Sequence, residues 1–194
     1  MSYVREEPFG AEDFPPFADA QAKFGFIPNF FRAQTMRTDL IETEMALVNA
    51  ILIREGALTR QQKEYIFLVC SAANLSTYCV TAHCEIVRML KIHGPEPEQV
   101  AVDHNHTNLP MREKALLNFA LKLNDHAHAF GPRDVEGLRT YGFRDEQILE
   151  AVATVGLAKF ANLVAFGLGT VPDFRAIDLA RRAGATTKPE AASA

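Results

Sequence analysis

Apolar residues recur at helical spacing along most of the chain, and no segment has the strict apolar–polar alternation of a half-buried strand. Glycines, prolines and capping residues divide this pattern into segments. The predicted helices cover about 18–24, 38–55, 59–73, 76–93, 110–127, 132–141, 145–167 and 172–184. The sequence therefore predicts an all-α fold of about eight to ten helices.

The second of these helices has clear predicted limits and a clear predicted buried face. Thr38 is a favourable N-cap, and Gly56 is a favourable residue for the C-terminal end. The buried stripe is predicted to contain four apolar residues at helical spacing: Ile41, Met45, Val48 and Leu52.

Two helices in the middle of the chain are predicted to form a central antiparallel pair. The tetrapeptide from Thr59 to Gln62 fits a capping box, and the helix that it opens is apolar on nearly every face from Tyr65 to Ala73. A tight turn follows, in which Ser76 is the expected N-cap of the next helix. The first helix of this pair should therefore lie at the centre of the fold.

The segment from Ala151 to Val171 is almost wholly apolar and is long enough to span a bilayer. It also contains Lys159, Asn162 and three glycines. A helix that is apolar all round is equally typical of a buried central or subunit-interface helix. We therefore expect it to be buried in protein, and we expect no membrane partner.

Composition sets limits on the class of protein. The 194 residues are 48% hydrophobic and 23% charged, which is typical of a globular protein. We expect an irregular arm at 1–14, a single helical domain at 15–184 and a disordered tail at 185–194. A net charge of −4 without a basic cluster argues against nucleic-acid binding. Three cysteines and no apolar signal segment favour the cytoplasm.

The candidate catalytic residues are Glu64, Ser76, Cys79 and His83, with Ser76 expected to position or protonate the reacting groups. Cys79 falls in the first turn of its helix, where the Ser76 hydroxyl should accept a hydrogen bond from the Cys79 amide and the helix dipole should favour a thiolate. His83 is one turn further along the same face. Glu64, from the preceding antiparallel helix, can reach His83 and orient it to take the thiol proton.

A purely structural interpretation of these residues is also open. Cys79 can be a small core residue and His83 a hydrogen-bonded core histidine, because cysteines are among the most buried residues. Glu64 favours the functional interpretation, since a carboxylate in an apolar helix is costly unless it has a partner.

Other residues that could carry chemistry receive a structural interpretation. The histidines of two His-x-His pairs are expected at the surface, and no set of metal ligands is predicted: His104, His106, His126 and His128. Cys70 is expected to be inert core, and Cys84 has poor helical geometry for a disulfide with Cys79. Four phenylalanines form either a hydrophobic lid, a pocket lining or a subunit interface: Phe24, Phe26, Phe30 and Phe31.

The spacing Glu64, Ser76-Thr-Tyr-Cys79, His83 resembles the Glu, Cys-x-x-Cys, His pattern of the alkylhydroperoxidase AhpD-like family, within the carboxymuconolactone decarboxylase superfamily. Three flanking segments resemble its peroxidase-related branch: Gly25-Phe-Ile-Pro-Asn-Phe-Phe31, Ser71-Ala-Ala-Asn74 and Gly167-Leu-Gly-Thr-Val-Pro-Asp173. The resemblance covers about residues 15–175.

The resemblance implies a role for each candidate residue. Cys79 would be the peroxidatic thiol, with His83 and Glu64 relaying protons. Ser76 stands where the family has the cysteine that supplies a proton and closes a disulfide. Because a hydroxyl cannot form a disulfide, an external thiol or thiol protein would have to reduce oxidised Cys79. The resemblance also implies a homo-oligomer (a dimer, trimer or hexamer), a small peroxide substrate and no cofactor.

Three functions therefore remain open from the sequence. The first is a thiol-dependent peroxidase with a single reactive cysteine. The second is a lyase of the carboxymuconolactone decarboxylase kind, in which Glu64 and His83 act as acid and base. The third is a non-catalytic oligomeric relative.

Overall fold

The described part of the chain, residues 2–174 of a computed structural model, contains nine α-helices and no β-strand. The α-helices are α1 (Pro15–Phe24), α2 (Asn29–Arg32), α3 (Thr38–Val48), α4 (Arg60–Ala73), α5 (Thr77–Met89), α6 (Pro97–Asp103), α7 (Met111–Asp125), α8 (Pro132–Thr140) and α9 (Asp145–Gly167). The same residues also contain three short 3₁₀ segments and one π-helical turn. The all-α prediction is confirmed, although α2 and α6 were not predicted.

Helix α4 lies at the centre and packs against α5, α6, α7 and α9. Every residue from Gln62 to Ser71 is buried. The predicted capping box is present, because the Gln62 amide donates to the Thr59 hydroxyl (3.2 Å) and the Thr59 amide donates to Oε1 of Gln62 (2.9 Å). These two bonds satisfy amides that would otherwise lack partners at the start of a buried helix.

The predicted buried face of α3 is right in register but more polar than expected. Ile41 and Leu52 are buried, while Met45 and Val48 are only half-buried. Glu44, which the sequence interpretation left out of this face, is 4% exposed. A carboxylate therefore lies among apolar side chains, where it must be neutral or specifically held.

The end of α3 differs from the prediction. The helix continues through a π-helical turn, Asn49–Ile53, and stops before Gly56, which is not a cap. Gly56 is instead placed against the Glu150 carboxylate, where a Cβ atom would clash with it. That carboxylate accepts hydrogen bonds from the Ala57 and Leu58 amides, both at 2.8 Å. The glycine thus permits a close approach between this loop and α9.

Thr38, the predicted N-cap of α3, is instead the first residue of that helix, and Asp145 is the first residue of α9. Thr38 begins α3 after Arg37, and no side chain caps that end. Asp145 begins α9 after Arg144, whose amide donates to Oε1 of Gln147 at 3.1 Å. The Gln147 side chain therefore satisfies the N-cap amide, as the third helical residue does in a capping box.

Helix α9 is apolar and long enough, by composition alone, to cross a membrane, but half of its most apolar stretch is buried inside the protein. Ala151, Val155 and Ala158 lie on the face that packs into the core. Its outer face retains apolar side chains that are 64% exposed at Leu163 and 50% exposed at Phe166. The single chain therefore buries only about half of this apolar stretch of α9.

The predicted final helix, 172–184, lies outside the described residues except for its first three positions, which are not helical. The predicted tail at 185–194 lies wholly outside them. The domain limits therefore stay predictions. The Tyr3 amide donates to the Leu168 carbonyl (2.8 Å), which ties the N-terminal arm to the end of α9.

Candidate active site

Glu64 and His83 form a buried pair between the two central helices. The Glu64 side chain on α4 is fully buried, and its Oε2 lies 2.6 Å from Nδ1 of His83 on α5. Arg60, one turn earlier, holds Oε1 through Nε at 2.7 Å and Nη2 at 2.6 Å. The predicted reach of Glu64 to His83 is present in the structure.

The charge on Glu64 determines the tautomer of His83. Burial would raise the pKa of Glu64, but the hydrogen bonds and charges of His83 and Arg60 outweigh it and hold the pKa below its ordinary value. An ionised carboxylate only accepts hydrogen bonds, so Nδ1 of His83 must donate. In the neutral imidazole Nε2 then keeps its lone pair and can act as a base. The ring is also stacked on Phe67, with centroids 3.8 Å apart.

Cys79 lies in the first turn of α5 and is only 4% exposed. Burial raises the pKa of its thiol, and the nearby Glu44 carboxylate raises it further, although hydrogen bonds from Ser76 and Asn162 act in the opposite direction. Burial therefore outweighs the effects that were expected to favour the thiolate at Cys79. Because the thiol keeps its proton, it needs a base before it can react.

Ser76 occupies the predicted N-cap position, but its hydroxyl does not make the predicted bond to the Cys79 amide. Its side chain instead interacts with the Cys79 sulfur, where a donated hydrogen bond favours the thiolate. The Ser76 amide is used by the turn, since it donates to the Ser71 carbonyl at 2.9 Å. The hydroxyl therefore lowers the pKa of the Cys79 thiol and does not cap the helix.

Asn162 on α9 is a site residue that the sequence interpretation missed. It is 1% exposed, and its amide nitrogen donates to the Ser71 hydroxyl at 3.0 Å as well as favouring the Cys79 thiolate. Its oxygen accepts from the Asn74 side chain at 2.8 Å, which fixes the orientation of the amide. The available signal was a single asparagine in a run of about twenty mostly apolar residues.

Cys79 and His83 line one cavity of about 170 Å³. The structure gives no direct hydrogen bond between the two side chains within residues 2–174. The predicted alignment on one helix face is present, but proton transfer between them needs an intermediary or a small side-chain movement. A cavity of this size holds several water molecules.

Aromatic side chains make up much of the cavity wall: Phe24, Phe30, Phe31, Phe67, Tyr78 and Phe174. Three of the four N-terminal phenylalanines therefore line a pocket, which is one of the alternatives left open by the sequence. Two of the three segments that resemble the peroxidase-related branch meet here, because Asp173 accepts a hydrogen bond from the Asn29 amide. The charged residues on the wall are Asp19, Lys23, Glu44 and Arg60.

Glu44 is a second missed site residue. Burial raises its pKa to about 7, and a hydrogen bond from Gln34 offsets only part of this effect. The signal was its position: it lies three residues after Ile41 and four before Val48, on the buried face of α3.

The remaining candidates fall mostly where the sequence places them. Cys70 is fully buried in the core, and burial raises its pKa to about 12. His106, His126 and His128 are exposed. The surface prediction is wrong for His104, which is 5% exposed and held by Asn118 at 2.8 Å. Residues 2–174 contain no cluster of three or more metal-ligating side chains.

Known structures resemble this fold closely. An uncharacterized peroxidase-related protein from Ralstonia eutropha JMP134, described as an alkylhydroperoxidase AhpD core, is 30% identical with a TM-score of 0.81, over 89% of this chain and 93% of that one. An uncharacterized peroxidase-related protein from Silicibacter sp. TM1040 is 27% identical with a TM-score of 0.79, over 86% and 87%. The chain therefore belongs to the alkylhydroperoxidase AhpD-like superfamily.

More distant structures share the fold alone. The debrominase Bmp8, solved with 2,3,4-tribromopyrrole, is 18% identical with a TM-score of 0.74, over 88% of this chain and 93% of that one. No protein-family model and no curated protein matches the chain.

Proposed function

We propose that this protein is a thiol-dependent, peroxidase-like oxidoreductase in which Cys79 is the only peroxidatic cysteine. The observation that carries the proposal is the joint placement of Cys79 and His83 on one cavity, with an ionised Glu64 behind His83. The sequence identity of 30% and 27% to two peroxidase-related proteins also supports the proposal.

In the proposed reaction, Nε2 of His83 takes the thiol proton through a water molecule in the cavity, and Glu64 stabilises the imidazolium that results. The Cys79 thiolate then attacks one peroxide oxygen. The O–O bond breaks, an S–O bond forms, and the products are a sulfenic acid and an alcohol or water. The raised pKa of Cys79 explains why a base is needed.

The resting enzyme is restored by an external thiol or a thiol protein. Ser76 stands where a second cysteine would close a disulfide with Cys79, and its hydroxyl cannot do so. Two external thiols would instead reduce the sulfenic acid, giving one disulfide and water.

Mass spectrometry of the intact chain tests this function. One equivalent of a hydroperoxide should add the mass of one oxygen atom to the chain, and later addition of a thiol should remove it. Cys79→Ser should abolish this increase in mass, whereas Cys70→Ala should retain it because Cys70 is fully buried in the core. An unchanged mass, or oxidation located at another cysteine, would show that the proposal is wrong.

A second candidate is an acid–base lyase of the carboxymuconolactone decarboxylase kind. The specific observation in its favour is that a base, His83, and a carboxyl with a pKa of about 7, Glu44, line the same cavity. Carbon dioxide release from carboxymuconolactone would identify this activity. Cys79→Ser separates the two functions, since it should leave a lyase active and eliminate a peroxidase.

We also propose a homo-oligomer, because α9 presents an apolar outer stripe that the single chain leaves uncovered. The stripe contains Leu149, Val152, Phe160, Leu163 and Phe166, which are 39–69% exposed. Leu163→Glu should lower the mass measured by light scattering to that of smaller species. A parent chain that is monomeric at all concentrations would contradict this proposal.

A further inference from the structure

Glu44 is a buried carboxyl on the cavity wall, separate from the Glu64–His83 pair. It is 4% exposed, yet no lysine or arginine forms an ion pair with it among the described residues. Its hydrogen bond is with the Gln34 side chain, whose Nε2 lies 2.9 Å from Oε2 of Glu44. A buried carboxyl without a cation is most easily kept in its neutral form.

The hydrogen bond from Gln34 also determines which oxygen of Glu44 holds the proton. An amide nitrogen only donates, so Oε2 must accept and the acid proton belongs on Oε1. The same Gln34 nitrogen donates to the Phe30 carbonyl at 3.2 Å, which keeps the amide in this orientation. Within residues 2–174, Oε1 has no hydrogen-bond partner. Its proton is therefore available to a molecule in the cavity.

We propose that Glu44 is the acid that protonates the departing oxygen when Cys79 attacks an organic hydroperoxide, a role that rests on the function proposed above. Family resemblance places a proton-supplying cysteine at position 76, where this chain has serine. A serine hydroxyl is a far weaker acid than a carboxyl. Glu44 lines the same cavity as Cys79, so a peroxide bound at the thiol lies in the space that this carboxyl borders.

The protons and electrons of this step balance. The Cys79 sulfur loses two electrons and the peroxide gains them as the S–O bond forms and the O–O bond breaks. The thiol proton goes to His83, and the Oε1 proton of Glu44 goes to the departing alkoxide, which leaves as an alcohol. The imidazolium of His83 then returns a proton to Glu44 through cavity water, and an external thiol reduces the sulfenic acid.

The shape of the site favours an organic peroxide over hydrogen peroxide. Phe24, Phe30 and Phe31 cover one part of the wall, and Phe67 and Phe174 another, so an apolar group is bound by contact with rings. An alkoxide is a strongly basic leaving group and gains the most from an acid.

The test compares oxidants whose leaving groups differ in basicity. The rate of Cys79 oxidation is measured by quenching and intact mass with tert-butyl hydroperoxide, hydrogen peroxide and peracetic acid. Acetate needs no proton in order to leave, so peracetic acid is the internal control. Glu44→Gln keeps the shape and loses the acid, and Glu42→Gln on the exposed side of the same helix is the matched control.

Glu44→Gln should slow oxidation by tert-butyl hydroperoxide roughly 100-fold, which is the ordinary contribution of a positioned acid, and should leave the peracetic acid rate close to that of the parent. Glu42→Gln should change neither rate. Equal slowing with all three oxidants, or no slowing, would overturn the role of Glu44 while leaving the peroxidase function intact. If no oxidant modifies Cys79 in the parent chain, the proposed function fails and the role of Glu44 fails with it.

The parent chain provides an independent check should Glu44→Gln fold poorly. An acid within the site makes the rate depend only weakly on the basicity of the leaving group. A steep dependence in the parent chain, equal to that of a small free thiol, would overturn the proposal without any variant.

Discussion

The buried carboxyl of Glu44 should make the stability of the protein depend on pH in a predictable direction. Burial raises the pKa of this group from 4.5 to about 7 in the folded chain. Unfolding exposes the side chain and restores its ordinary value. Between these two values the folded state binds more protons than the unfolded state, so the free energy of unfolding falls as the pH rises.

The size of this effect follows from the same two values. Each pH unit between them changes the free energy of unfolding by about 1.4 kcal/mol. The loss contributed by Glu44 should therefore approach about 3 kcal/mol when the pH exceeds the folded pKa. Below the ordinary value of 4.5 both states are protonated and Glu44 contributes no pH dependence.

Urea denaturation of the parent chain and of Glu44→Gln, followed by circular dichroism of the helices, measures this quantity. Comparing the two chains at about pH 5 and about pH 8, at one protein concentration, cancels the other titrating groups. The parent should lose about 2.5 kcal/mol more than the variant over this interval, since part of the loss is already present at pH 5. Parallel curves would show that Glu44 has an ordinary pKa and would remove the reason to regard it as a neutral acid.

Two further predictions concern α9 and the first turn of α5. Glu150→Gln should lower the free energy of unfolding by about 2 kcal/mol in urea titrations, because one acceptor is lost and Lys63, 2% exposed and 3.4 Å away, loses its counter-charge. The exposed control Glu146→Gln should change this free energy little, and an equal loss in both variants would contradict the role of Glu150. Ser76→Cys should let hydroperoxide-treated protein lose two hydrogens through a disulfide with Cys79 instead of gaining an oxygen, as measured by intact mass; a retained oxygen would show that position 76 cannot reach the sulfur.

Local patterns made much of the central helix pair predictable. The capping box from Thr59 to Gln62 and the apolar run after it mark α4 as a buried helix, because both signals are contained within a few consecutive residues. The spacing of Glu64 and His83 sufficed to place the two side chains in contact, since adjacent antiparallel helices bring such positions together.

The residues that tune the site depend on contacts between distant segments. Glu44 comes from α3 and Asn162 from α9, and each influences the pKa of Cys79 only after the helices pack. Their pKa effects therefore have no local sequence signal beyond a polar residue on an apolar face. For the same reason the net shift of the Cys79 pKa was not predictable: the helix terminus was visible in the sequence, but the depth of burial that raises the pKa was not.

Gly56 illustrates the same limit for the backbone. A glycine after an apolar helical stripe is typical of a C-cap. Here the helix ends earlier, and the glycine leaves room for the Glu150 carboxylate from a helix about ninety residues away. A single-sequence pattern contains no information on that approach.

The central claim is that Cys79 is a peroxide-reactive thiol served by His83 and Glu64. The most direct measurement is the intact mass of the native chain after one equivalent of an organic hydroperoxide, before and after addition of a thiol. We expect one added oxygen on Cys79, which the thiol removes and which Cys79→Ser does not acquire. A native chain whose mass is unchanged, with Cys79 reactive only after denaturation, would contradict it.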